Sequence, residues 1–217
     1  MDEPAYLRAT RASYDAVAVD YEKLLRDELA AKPMDRAALG VFAELVLASG
    51  AGPVADIGCG PGRITAYLHT LGCDAFGMDL SPGMVAVARE RYPELRFEVG
   101  SMTALDVVDS SLSGLVAWYS VVHIPSDLLP NVFADFCRVL VPGGQLLITF
   151  QVGDERVHLD QAYGHAVSID AYRLTPDRIA DLLADAGLTV HTRILREQDG
   201  RERTPQAYLM AVRPSAS

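Results

Sequence analysis

The chain has 217 residues, half of them hydrophobic, with 19 basic and 29 acidic side chains and a formal charge of −10. That length suits one α/β domain with its own core, and that composition excludes a disordered chain. An acidic surface without a basic stripe repels phosphate backbones, which speaks against nucleic acid, and the longest apolar stretches break at Glu44 and His123 before membrane-spanning length.

Near the start, Ser13 to Tyr21 reads S-Y-D-A-V-A-V-D-Y, and Tyr14 and Tyr21, seven apart, share one face of a predicted helix. Val54 to Ile57 is an apolar run with one acid, Asp56, and is predicted as a buried parallel strand. It enters a loop with Gly58, Gly60 and Gly62 set two apart. Glycine tolerates positive φ and lets a ligand touch bare backbone. Arg63 to Leu71 then carries Ile64, Leu68 and Leu71 at helical spacing. Strand, glycine loop and helix together predict a site for a nucleoside-like cofactor.

Cys73 to Asp79 reads as a second strand, after which Ser81 caps and Pro82 opens a helix. Leu95 to Val99 and Leu112 to Tyr119 are the third and fourth strands. Asp127 to Leu140 puts Leu129, Val132, Phe133, Phe136 and Leu140 on one helical face. Val141-Pro142-Gly143-Gly144 is expected to stop that helix, with Gln145 to Phe150 as strand five. Gln151 to Leu174 carries His158, Tyr163, His165 and Tyr172 without clean periodicity. A helix restarts at Thr175-Pro176-Asp177 and ends at Gly187. Leu188 to Leu195 and Gln206 to Val212 are two strands joined around Asp199-Gly200, a hairpin that reverses the last one. The alternation implies an α/β fold with a doubly wound, mostly parallel sheet.

The glycine spacing narrows the cofactor. In a dinucleotide fingerprint, G-x-G-x-x-G, the third glycine would fall on Arg63, and no phosphate loop of the form G-x-x-x-x-G-K-[ST] occurs. Asp56-Ile57-Gly58-Cys59-Gly60-Pro61-Gly62 instead resembles the first motif of class I S-adenosylmethionine-dependent methyltransferases. Asp79-Leu80-Ser81-Pro82-Gly83-Met84-Val85 resembles the second. The pattern Y-D-x-x-A-x-x-Y from Tyr14 to Tyr21 is similar to an N-terminal segment of many small-molecule methyltransferases. These motifs cover about the first 150 residues; the remainder matches through topology.

The resemblance implies a Rossmann-like seven-stranded sheet of order 3-2-1-4-5-7-6 in a single domain over 1–217. About 1–35 would form a helical lid, and about 151–175 an insertion covering the acceptor. It implies S-adenosyl-L-methionine held against Gly58, Cys59, Gly60 and Arg63, with Asp56 near the methionine ammonium. Asp79 would accept bonds from both ribose hydroxyls, its plain alternative being a turn or cap acid. Leu80 and Met84 would flank the adenine, although Met84 equally suits a core. Ser101 stands where the family has an acid meeting the adenine amino group, and Met102 offers an amide and an apolar face. A further departure is Gly114, where strand four often begins with aspartate. Tyr119 would wall the methionine part, and Tyr14 and Tyr21 would reach over the cofactor.

Methyl transfer of this kind is an in-line displacement in which the protein mainly positions the pair. A hydroxyl or weak amine acceptor also needs a base, for which His123 in Y-S-V-V-H-I-P is the leading candidate, a hydrogen-bonded wall histidine being the plain reading. His158, Tyr163 and His165 are candidates for contacting a small-molecule acceptor. No H-x-x-x-H or C-x-x-C spacing points to a metal. Three scattered cysteines, and a first segment without the basic start and apolar core of a signal peptide, predict a reducing, cytoplasmic setting. Acceptor chemistry (oxygen, nitrogen or carbon) and oligomeric state stay open. Two rivals remain: an NAD-dependent oxidoreductase, opposed by Arg63 and the reversed strand, and a non-catalytic module that binds S-adenosylmethionine.

Overall fold

The computed structural model describes residues 3–50, 52–200 and 202–215. Three helices come first: α1 (Ala5–Leu25), α2 (Glu28–Ala31) and α3 (Pro33–Ala48). The alternating part follows as β1 (Pro53–Ile57), α4 (Arg63–Thr70), β2 (Asp74–Asp79), α5 (Pro82–Arg91), β3 (Phe97–Val99) and β4 (Leu112–Trp118). A 3-10 turn (Val121–His123) leads to α6 (Leu129–Val139), β5 (Leu140–Gln151), β6 (Arg156–Ala162) and β7 (His165–Tyr172). The chain continues through α7 (Pro176–Asp185), β8 (Thr189–Arg196) and β9 (Gln206–Val212).

Seven strands form one sheet in the order β3-β2-β1-β4-β5-β9-β8. Every neighbouring pair from β3 to β5 is parallel, and β9 runs antiparallel to both β5 and β8. This is the expected 3-2-1-4-5-7-6 arrangement. Its last two strands become eighth and ninth because β6 and β7 form a separate two-stranded sheet.

Helices cover both faces, so the central strands read as continuous apolar runs. On β4, Leu115 and Ala117 join Phe133 and Phe136 of α6, while Val116 and Trp118 join Leu39, Phe42 and Val46 of α3. The same packing accounts for Gly114. A Cβ there would lie 2.8 Å from Val46 Cγ2 and 2.9 Å from Phe42 Cζ.

Two expectations need correction. Val141 to Gly144 is not a helix-ending loop but the first part of β5, which begins at Leu140. Those backbone groups find partners beyond the end of β9: Gly143 N donates to Arg213 O (2.7 Å), and Arg213 Nη1 donates to Leu140 O (2.5 Å). Gln151 to Leu174 is not irregular either. It holds an antiparallel hairpin in which Ala162 pairs with His165 across Tyr163-Gly164. Both turn residues have positive φ, 52° and 85°, as a two-residue turn that follows strand twist requires.

α1 lies across the carboxyl ends of the strands and is tied down on two sides. Asp15 Oδ1 accepts from Ser81 Oγ (2.6 Å) and Gly83 N (2.8 Å) at the start of α5. Ser168 N of β7 donates to Ser13 Oγ (3.2 Å). Val17 and Ala18 are buried against Met84.

Candidate functional site

A cavity lies beyond β1, β2 and β4, where strand order reverses. Such switch points are where open α/β sheets take ligands. Its floor is the glycine loop. Gly58 N and Cys59 N donate to Met78 O (2.7 and 3.1 Å), which fastens the loop to β2. Gly58 has φ +78°, and a Cβ there would lie 2.3 Å from Ser120 Cβ. Gly60 has φ +54°, and the nearest atom to a Cβ there is Tyr21 Cε1 at 3.9 Å, so its bare face fronts the cavity.

Asp79 ends β2 at the cavity wall. Its Oδ2 accepts from Gly60 N and its Oδ1 from Ser81 N, both at 2.8 Å. Burial pushes this carboxyl up to about 6, against the pull of those amides. Each oxygen keeps a lone pair for a hydroxyl. The open backbone at Gly60 and this two-oxygen acceptor fit the amino-acid tail and the ribose of S-adenosylmethionine.

Leu80, Met84, Ser101 and Met102 line the same cavity. The Ser101 hydroxyl lies 2.8 Å from the Thr103 hydroxyl and accepts from Thr103 N (3.2 Å). Tyr119 also lines it, with φ +52°, an unusual conformation for a bulky residue, and its amide donates to Thr149 Oγ1 (3.0 Å).

Three expected cofactor residues do not reach this cavity. Along β1, Val54 and Asp56 face α4 while Ala55 and Ile57 face the other side, a consequence of the two-residue strand period. Asp56 is therefore fully buried beneath α4, where its Oδ2 accepts from Thr65 Oγ1 (2.7 Å) and its Oδ1 has no partner. Burial pushes its carboxyl up to about 7, partly opposed by Thr65. Cys59 is buried among Val85, Ala88 and Phe97. The Arg63 guanidinium lies instead in a neighbouring groove, with its buried Nη1 2.9 Å from Glu28 Oε2 in an ion pair whose angles fall outside hydrogen-bond geometry.

His123 closes the far end. Its Nδ1 lies 2.8 Å from the Asp170 carbonyl oxygen, which only accepts, so Nδ1 carries the proton. Nε2 is then an acceptor and takes the hydrogen of Tyr14 Oη at 2.6 Å. Burial holds the imidazole below its ordinary pKa, hence neutral. Tyr14, Tyr21, Tyr119 and His123 line both this cavity and the wider groove beside it.

The groove runs under the hairpin, against Val157, Leu159 and Ala171. Tyr163 belongs to it, its ring 4.8 Å from that of Tyr21. His158 and His165 line neither space. His158 sits on the exposed face of the hairpin with Nδ1 2.8 Å from Asp170 Oδ1, and His165 Nε2 lies 2.8 Å from Asp20 Oδ2 of α1. Sequence reasoning missed Leu7 and Thr10 of α1, Trp118 at the end of β4 and Ser120 just after it, all on the cavity wall. The register of β4 points toward the last two, because Ser120 Oγ donates to Ile57 O (2.7 Å) just before the glycine loop.

Among the described residues, no three His, Cys, Asp or Glu side chains come together as a metal-holding group, and no helix is long and apolar enough to cross a membrane.

Residues 54–144 match a family model described as a methyltransferase domain. A trans-aconitate 2-methyltransferase from Variovorax paradoxus is 34% identical over 142 residues, 62% of this chain and 52% of that protein. A malonyl-[acyl-carrier protein] O-methyltransferase from Enterobacter lignolyticus is 30% identical over 110 residues, 51% of this chain and 43% of that protein. The chain thus spans about half the length of these curated relatives. Among solved structures, the magnesium protoporphyrin IX methyltransferase of Synechocystis with bound cofactor superposes with TM-score 0.71 at 15% identity, over 98% of this chain and 99% of that one. At that identity the likeness shows the fold.

Proposed function

We propose that this chain, which carries a class I S-adenosylmethionine-dependent methyltransferase domain, moves a methyl group onto a small-molecule acceptor. The observation that supports this is a wall common to two spaces. The cavity holding the glycine loop and Asp79 and the groove under the hairpin are both lined by Tyr14, Tyr21, Tyr119 and His123.

In this reading the cofactor supplies a methyl group already activated on a sulfonium. The chain binds, orients and excludes water. The loop backbone at Gly58 and Gly60 takes the amino-acid tail, Asp79 takes the ribose hydroxyls, and Leu80, Met84, Ser101 and Met102 surround the base. α1 acts as a lid, the hairpin covers the acceptor, and His123 supplies the basic nitrogen, whose Nε2 is reached through Tyr14 Oη. Holding two reactants in line is worth on the order of 7–11 kcal/mol of barrier, which makes positioning the chain's main task. The acidic surface and free cysteines suit a cytoplasmic enzyme that does not act on nucleic acid.

Calorimetry with S-adenosylhomocysteine tests the cofactor part. Hydrogen bonds to a charged group contribute about 1.5–3 kcal/mol each, so Asp79→Ala, which removes two of them, weakens binding by about a hundredfold or more. An unchanged Kd removes Asp79 from the ribose. Release of S-adenosylhomocysteine against a metabolite panel tests catalysis, and binding without release against every acceptor would leave only a binding module.

A further inference from the structure

We infer that the acceptor is a flat molecule bearing a phenol-type hydroxyl, and that Tyr14, not His123, takes its proton. The inference rests on the methyl-transfer reading above. His123 has no free nitrogen to offer. Nδ1 is spent on the Asp170 carbonyl, and the only accepting nitrogen, Nε2, is filled by Tyr14 Oη at 2.6 Å. Tyr14 Oη has given up its hydrogen to that bond but keeps its lone pairs, and Tyr14 lines both the cofactor cavity and the groove.

The step balances as a relay. The acceptor O–H bond breaks and its proton goes to Tyr14 Oη, while the Tyr14 proton passes to His123 Nε2. The freed oxygen pair makes the new bond to the methyl carbon, and the pair of the broken C–S bond stays on sulfur. One positive charge disappears from the sulfonium and one appears on the imidazolium.

Two features favour a hydroxyl on a planar body. A carboxylate arrives ionised and needs no relay. The rings of Tyr21 and Tyr163 stand in series beside Tyr14, and Val157 and Leu159 of the hairpin add apolar surface to the same groove. The inner cations of the groove are already matched, Arg63 with Glu28, Lys32 with Glu202 and Arg173 with Glu155. Arg203 is exposed at the rim.

Nitrogen-15 spectra of the histidine-labelled chain read the relay without turnover. His123 is expected as the Nδ1–H tautomer, with Tyr14→Phe moving its Nε2 resonance and leaving the other four histidines in place. An Nε2–H tautomer overturns the relay. For chemistry, catechol and 2-naphthol are compared with trans-aconitate and a malonyl thioester. Phenols are expected to be methylated, with Tyr14→Phe and His123→Ala each lowering kcat by about 10²-fold or more and the double variant no slower than either single one. Methylation confined to the carboxylates, or a Tyr14→Phe enzyme with wild-type kcat, overturns the proposal. If calorimetry shows no binding of S-adenosylmethionine to the wild-type chain, the methyl-transfer reading itself falls, whichever tautomer is seen.

Discussion

At Asp79 both carboxylate oxygens are held by backbone amides, those of Gly60 and Ser81. Across the ring of tyrosines, the Asp170 carboxylate is held only by side chains, Arg156 Nη2 at 2.7 Å and His158 Nδ1 at 2.8 Å, on a hairpin that faces solvent. The cofactor side is thus made of main chain locked into the parallel sheet. The hairpin, proposed to cover the acceptor, is a two-stranded sheet outside it whose solvent face is tied by side chains. A site built from backbone tolerates little change, because each amide belongs to the fold. A site built from side chains can be altered one residue at a time, which suits a surface that selects among acceptors.

Substitutions at three depths test that contrast, and the largest effect is expected beneath the sheet. Asp56 has a folded pKa raised from 3.8 to about 7, chiefly by burial. The native state therefore binds more protons than the unfolded state between about pH 4 and 7, and stability is lost as pH rises through that window. Asn at this position does not titrate. Against Asp56→Asn, the wild type should lose on the order of 4 kcal/mol between pH 4 and pH 8, measured by urea unfolding. Parallel stability curves would show an Asp56 that ionises as it does in water.

Next comes the loop itself. Gly58→Ala places a Cβ at φ +78° and 2.3 Å from Ser120 Cβ. Left-handed strain and overpacking together are expected to cost about 3 kcal/mol and to weaken cofactor binding. A urea midpoint equal to that of the wild type would mean the loop is less rigid than its hydrogen bonds imply.

The smallest effect is expected on the hairpin. Asp170→Asn removes the charge that pairs with Arg156 and His158, both on the exposed face. Exposed pairs of this kind contribute little, so the thermal midpoint should not move measurably. The His123 tautomer should also persist, because the Asp170 main-chain oxygen holds Nδ1. A large drop in midpoint would place the hairpin inside the cooperative core and erase the contrast.

Much of the cofactor side was legible in advance. Gly58, Gly60 and Asp79 line the cavity, and Ser81 caps α5 by accepting from Met84 N at 3.0 Å. The hairpin was obscured because its alternation is short and interrupted. Val157 and Leu159 face inward, but the register shifts between Leu159 and Gln161, and the exposed face is charged. Asp56 was drawn toward the cofactor by its place in the motif, and the pleat of β1 turned it to Thr65 instead.

Sequence alone determined what depends on neighbours within a few residues: the positive-φ glycines, the serine cap, the apolar runs and the reversal of the last strand. Those preferences are local and act wherever the chain goes. Tertiary structure decided the chemistry at His123. Its proton is placed by a carbonyl 47 positions away and its free nitrogen is filled by a hydroxyl 109 positions away. No spacing records such bonds, because they form only once α1, the turn after β4 and the hairpin have been brought to one point by the packing of the sheet.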